Sequence, residues 1–437
     1  MYAKLKSLTA IGRKHEGFRK YLKNTGWLFG GQMLRLILGL FVGVTVARHL
    51  GPSDFGLYNY ILSIVALVTV FAQLGIQSIA QREMIAQPES KNKILGTCFV
   101  INGISGVLLY ALMLLIVVLG KTPEDQIPLY VVLGAGLILL PFEHIEMWFQ
   151  SQVQARLSVI ASVITMLLYS GAKVIAIYAG WSLLPFAVIS FFEILTLSLI
   201  KIRFYQLNYG SIMEWRLSKE LAGNLLKESW PVMFSALAIT IYMRIDQIML
   251  GSMMGNKAVG EYSAATKLSS IWYFVPMLLA NSLYPSIVRA KERSEDLYLK
   301  RLRGFMALNS AIAYLIILPV TLLSPFIIVL LYGNQYQAAA SILTIHVWAS
   351  LFVFTGVCRG QYLLTEKMHR FSLISTCVGA VVNMTMNYLL IPSYGGVGAA
   401  FATLFSQAVA AYWSSAFIPG SKQLFWMQTK SLFLIGK

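Results

Sequence analysis

Charge is the scarce commodity in this chain. Asp, Glu, Lys and Arg together make up 12% of its 437 residues, about half the usual share for a water-soluble domain. Cysteine is rarer still. Cys98, Cys358 and Cys377 are the only three, with no metal-ligand spacing and no partner pattern, which excludes a disulfide framework and a thiolate metal site. The five histidines are scattered. There is no HExxH, no GxSxG and no phosphate-cradling G-x4-G-K-[ST] loop, so hydrolytic and nucleotide-driven chemistry lack their usual residues. No catalytic residue, cofactor or metal ligand is expected. Long polar stretches are missing as well. Between apolar runs on the side away from the N-terminus the connections are short, which leaves no room for a domain that would hold an acceptor substrate.

What fills the chain is apolar sequence, 57% by composition. Twelve stretches, at roughly 24–47, 55–81, 94–119, 126–150, 157–179, 182–203, 228–252, 259–288, 304–331, 338–364, 370–392 and 396–418, are each about as long as the roughly 20 helical residues needed to cross a bilayer core. The formal charge of +17 does not call for nucleic acid. Of the 35 Lys and Arg, 27 fall on the N-terminal side of the spans, Arg48, Lys121 and Lys257 fall opposite, and five lie within spans. Cytoplasmic loops retain basic residues, so both termini are expected in the cytoplasm. The first span is too long for a cleavable signal peptide and follows a basic segment, 1–23, that reads either as an interfacial helix or as a topology-setting tail.

A polar break at 204–227 separates six spans (24–203) from six (228–418), with a tail at 419–437. The two halves share a motif. GPSDFGLY from Gly51 and GNKAVGEY from Gly255 are both G-x4-G-x-Y, between spans 1 and 2 and between spans 7 and 8. Six is even, so the halves enter from the same side as a parallel repeat, and two such bundles predict a cleft with alternating access. Pro141, Pro185, Pro231, Pro276, Pro319 and Pro325 interrupt or border the spans. Gln73, Asn383 and Asn387 are polar groups expected either to bond between helices or to line the cleft.

Ionisable groups within spans are costly, about 2.5 to 3.5 kcal/mol each at a lipid-facing helix centre, and demand a reason. Arg35 and Glu193 lie deepest, each about 16 Å from a span end at 1.5 Å per residue. Lys173, Arg244, Asp246 and Lys267 sit in the outer half, while Arg359 and Glu146 lie near the cytoplasmic end. One reading is a cationic cleft for an anionic substrate, bound by Arg35, Arg244, Lys267 and Lys173 through the forked and point-charge donors that suit phosphate. The other is a set of interhelical ion pairs, such as Arg35 with Glu193 or Lys267 with Asp246. Arg244 and Asp246 are about 200° apart around their helix and cannot both face one lumen. Arg244 is the expected ligand contact and Asp246 the structural or gating partner. Glu143 and Glu146 share a face that is either a solvated inner mouth or an ion-coupling site, and Glu193 is the better candidate for a coupling proton or sodium ion.

Three stretches, VARHLGPSDFGLYNY (Val46–Tyr60), RIDQIMLGSMMGNKAVGEYSAATKL (Arg244–Leu268) and VVNMTMNYLLIPSYGGVGAAFATLFSQ (Val381–Gln407), carry a resemblance over essentially the whole length. The chain resembles the Wzx-type polysaccharide repeat-unit flippases of the multidrug/oligosaccharidyl-lipid/polysaccharide exporter (MOP) superfamily. Asp246, Gly251, Gly260, Tyr262 and Lys267 match positions recurring in that family's seventh and eighth helices. The resemblance implies an all-α polytopic membrane protein of about twelve helices in two lobes, MATE-like, in the bacterial cytoplasmic membrane. It also implies an undecaprenyl-diphosphate-linked oligosaccharide as substrate, turned from the cytoplasmic to the outer leaflet for O-antigen, capsule or exopolysaccharide. Membrane lipid and the polysaccharide polymerase and chain-length machinery are the implied partners. A cation-coupled multidrug antiporter is the alternative reading, although such relatives favour acidic clefts. A peptidoglycan-precursor flippase would usually show fourteen helices and an arginine-rich first helix.

Overall fold

A computed structural model describes residues 2–120, 122–417 and 422–434, with side chains from Asn24 onward apart from His369. The side chains of the basic 1–23 segment therefore lie outside the described residues. No strand occurs among them. The helices are α1 (Tyr2–Gln73), α2 (Ile76–Ala86), α3 (Lys91–Leu119), α4 (Ile127–Gly134), α5 (Glu143–Ser151), α6 (Ala155–Tyr178), α7 (Leu183–Tyr209) and α8 (Lys219–Met254). They continue with α9 (Asn256–Ser270), α10 (Phe274–Arg293), α11 (Glu295–Tyr332), α12 (Ala339–His346), α13 (Ala349–Thr365), α14 (His369–Ala408), α15 (Ser414–Phe417) and α16 (Lys422–Leu432).

Ten helical stretches among the described residues are long and apolar enough to cross a membrane. Two of them, Asn24–Gln73 and Arg370–Phe417, are 50 and 48 residues long, twice what one crossing needs. Each folds at a glycine, Gly51 (φ 76°) and Gly395 (φ 54°), whose left-handed backbone an L side chain rarely adopts. Counting each as two spans restores the twelve expected from the sequence. Span 2 is interrupted at Leu74 and Gly75, both with positive φ, where a continuous run to residue 81 was expected. Span 4 tightens into 3-10 geometry over Ala135–Phe142, which contains Pro141. A proline cannot donate the i→i−4 hydrogen bond, so the α ladder fails there.

Packing divides the chain into two compact units: residues up to Gly43 with Val68–Ala236, and Val44–Leu67 with Leu237–Lys437. In the first unit the polar 204–227 segment is packed. Arg216 N donates to Asn92 O (2.9 Å), Ser218 N donates to Thr97 Oγ1 (3.0 Å), and Trp215 sets its ring edge-on to Phe99 and Tyr205.

The second unit explains the sequence repeat. Gly51 (φ 76°, ψ 171°) and Gly255 (φ 83°, ψ 178°) share one backbone conformation and turn their hairpins alike. The second glycine of each motif permits close approach of backbones. A methyl group placed on Gly56 would lie 1.8 Å from Asn256 O, and one on Gly260 would lie 1.9 Å from Pro52 O. The 44–67 hairpin is fastened further by Tyr336 OH donating to Ala47 O (2.9 Å), Gln335 Nε2 donating to Arg48 O (2.7 Å), and a Ser63–Gln247 hydrogen bond.

Candidate functional site

The densest buried polar group in the second unit centres on Asp246. Helix α8 presents successive residues about 100° apart, so Arg244 comes to the exposed face and Asp246 to the buried one, 5% accessible. Asp246 Oδ2 accepts from the Tyr262 hydroxyl (2.5 Å) and Thr403 Oγ1 (2.6 Å), and Oδ1 accepts from Asn387 Nδ2 (2.5 Å). Asn387 Nδ2 also donates to Asn383 Oδ1 (3.1 Å). Tyr262 is placed by α9, which begins at the Gly255 turn, and the two asparagines and Thr403 by the two arms of α14. Every named partner is neutral, so the carboxylate is held by hydroxyls and an amide. Buried polar atoms are nearly always paired, yet Asn387 Oδ1 has no partner here. Oxygen donors around one buried carboxylate, with an orphaned amide oxygen beside them, fit a proton or a hard monovalent cation. No cluster of three or more His, Cys, Asp or Glu residues suited to a metal ion occurs among the described residues.

Two polar clusters lie in the first unit. Lys173 on α6 pairs with Glu193 on α7 at 2.6 Å, both part-buried, so Glu193 is engaged by Lys173 and not by Arg35. Glu143 accepts from Gln73 Nε2 (3.0 Å) and Gln77 Nε2 (3.2 Å). One turn on, Glu146 meets Lys201 at 2.5 Å. Below them Asn102 bridges Ala72 O (2.6 Å) and His144 Nε2 (2.6 Å). This joins one of the seemingly scattered histidines to the α3–α5 packing. Arg359, near the cytoplasmic end of its span in the sequence, is buried and donates to Ser415 Oγ (3.1 Å) and Ser375 Oγ (3.0 Å).

Arg35 in the first unit and Arg244 in the second are both exposed, and neither makes an ion pair or hydrogen bond among the described residues. Lys267 is half-buried in the last turn of α9. Trp148 is part of a core with Phe149, Ile145 and Tyr205. Sequence reading missed Thr403, Lys201 and Asn102 as members of these clusters. The signal for Thr403 was available: it is a hydroxyl within the same Val381–Gln407 stretch that supplies Asn383 and Asn387.

A family model described as polysaccharide biosynthesis protein matches residues 21–291, and the MatE model matches residues 231–389. The chain is 22% identical to the probable flippase AglR of Haloferax volcanii, covering 90% of this chain and 83% of that protein. It is 23% identical to the capsular polysaccharide biosynthesis protein CapF of Staphylococcus aureus, covering 89% and 97%. The match to a second Haloferax volcanii protein, the probable low-salt glycan biosynthesis flippase Agl15, spans 43% of that protein's length. Among solved structures, an inward-facing multidrug resistance MATE transporter of the MOP superfamily superposes with a TM-score of 0.71 at 15% identity, covering 92% of this chain and 95% of the other. The lipid II flippase MurJ superposes with a TM-score of 0.68 at 16% identity, covering 93% and 90%.

Proposed function

The chain belongs to the polysaccharide biosynthesis protein family of the MOP superfamily, and from that membership we propose that it is a flippase for lipid-linked oligosaccharide. Its substrate would be an undecaprenyl-diphosphate-linked repeat unit, turned from the cytoplasmic to the outer leaflet of the cytoplasmic membrane by alternating access. The observation that carries this reading is Arg244, an exposed guanidinium within a membrane span with no acidic partner. Such a group is costly in lipid, and a diphosphate would supply both its countercharge and its bidentate acceptors. Arg35 is the equivalent feature of the first unit. Lys173, already paired with Glu193, has less charge to offer a ligand, and Lys267 serves as a mobile point charge.

Coupling to a proton or sodium gradient is the second part of the proposal, with Asp246 as the group that would hold the ion. Asn383, Asn387, Tyr262 and Thr403 complete its oxygen donors. Glu143 and Glu193 are the first unit's candidates. The MatE match at 231–389 takes in Asp246, Tyr262, Asn383 and Asn387, though not Thr403, and favours, as the alternative, a cation-coupled drug antiporter.

The test is transbilayer movement of undecaprenyl-diphosphate oligosaccharide in proteoliposomes. Wild type should move it, and Arg244→Ala should not. No movement by well-folded wild type, combined with drug sensitivity of a deletion strain, would replace the flippase with the antiporter.

A further inference from the structure

The connection between α10 and α11 gathers cations in a way that topology alone does not require. Ser286, Arg289 and Arg293 recur at i, i+3 and i+7 on α10, within about 60° of one another around the helix. Arg301 reaches across from α11 and donates through Nη1 to Ser286 O (2.6 Å) and to Ser286 Oγ. These four residues and Ala290 line a cavity of about 270 Å³. Three guanidiniums therefore converge on one space with no carboxylate in its wall. The other charges nearby are placed elsewhere. Lys291 points off this face and pairs with Glu366, while Glu292, Glu295 and Asp296 sit around the hairpin tip without lining the cavity.

A basic excess on cytoplasmic loops explains why arginines are present, but not why they share a cavity, since like charges a few ångströms apart repel. The C-terminal end of α10 offers roughly half a negative charge, enough to offset one cation in part and not three. An anion is the missing component. The cavity holds several times the ≈ 30 Å³ share of a water molecule, which is room for a phosphate or diphosphate and too little for an oligosaccharide. Arg301, fixed by Ser286 through one nitrogen, keeps its remaining donors free for the cavity. On the proposed topology this hairpin lies at the depth of the inner-leaflet headgroups.

We propose that Ser286, Arg289, Arg293 and Arg301 form a phosphate-binding site that takes the phosphate or diphosphate of a lipid at the cytoplasmic surface. The proposal rests on the cytoplasmic placement of this loop in the flippase reading. It adds a site separate from Arg244, where a headgroup docks before or apart from transport. The source of the phosphate is either the lipid-linked substrate or an anionic phospholipid.

The purified full-length chain is assayed two ways: binding of inorganic pyrophosphate in detergent, and retention of phosphatidylglycerol seen by native mass spectrometry after extraction. Arg289→Gln/Arg293→Gln should weaken binding about tenfold or more, the scale expected for lost charge-assisted hydrogen bonds. Arg303→Gln, which removes one nearby cation outside the cavity, should not. Arg293→Lys, which keeps charge and removes the fork, should give an intermediate loss and serves if the double variant folds poorly. Loss of pyrophosphate binding identifies a diphosphate headgroup as the ligand, whereas loss of phosphatidylglycerol retention alone identifies a phospholipid. If neither probe binds wild type, or if Arg303→Gln loses as much as the double variant, the site is refuted. Failure of wild type to move lipid-linked oligosaccharide, with these binding results intact, would fell the flippase reading and leave the site standing.

Discussion

One methyl group at Gly260 should force apart the two hairpins that the glycine repeat brings together. The added carbon would sit 1.9 Å from Pro52 O and 2.8 Å from the Pro52 carbonyl carbon. Both are backbone atoms, so no rotamer change relieves the clash. To reach even 3.0 Å the hairpins must separate by about 1 Å, and the Ser63–Gln247 hydrogen bond joins the same two hairpins. Overpacking of this kind typically costs about 1–3 kcal/mol, and a rigid backbone contact belongs at the upper end. Gly304→Ala is the matched control. It lies inside α11 with nothing within 4 Å of the added carbon, and there alanine should stabilise by about 0.8–1 kcal/mol through helix propensity. Gly51→Ala tests the turn separately, since φ 76° with ψ 171° is a conformation nearly reserved for glycine and penalises any L residue by about 1–3 kcal/mol. The assay is the apparent unfolding temperature of each variant in one detergent at one scan rate. Gly260→Ala should fall, Gly51→Ala should fall, and Gly304→Ala should hold or rise. Equal midpoints for Gly260→Ala and Gly304→Ala would refute the close approach.

Lys173→Met should strand Glu193 part-buried between α6 and α7, costing about 1–3 kcal/mol, while Lys173→Met/Glu193→Met should cost less than the sum of the single changes. A double-mutant cycle on unfolding free energy checks this, and strict additivity would mean that the pair does not interact. Asp246→Asn should place an amide donor against another donor in either orientation, the Tyr262 and Thr403 hydroxyls or Asn387 Nδ2, costing about 1–3 kcal/mol and removing the response of transport to an imposed proton or sodium gradient. Transport in vesicles that keeps its gradient dependence in this variant would exclude Asp246 as the coupling group.

Much of this molecule was legible from local rules. Span length follows from bilayer thickness, and the paired Gly51 and Gly255 motifs marked the two hairpins before any geometry was known. The 100° step of the helix already required Arg244 and Asp246 to face different surroundings. Partner identity was not legible. Glu193 is met by Lys173, 20 residues away on the adjoining helix, and Asp246 by Asn387 and Thr403, 141 and 157 residues along the chain. The two glycines of one repeat motif could be read as turn residues, but that Gly56 and Gly260 press against each other's hairpin depends on how helices 204 residues apart pack. Helical period and hydropathy act within a few turns, so the sequence by itself set which residues share a face and which segments enter the membrane. Which face meets which is decided by packing between distant segments, and only the tertiary structure carries that.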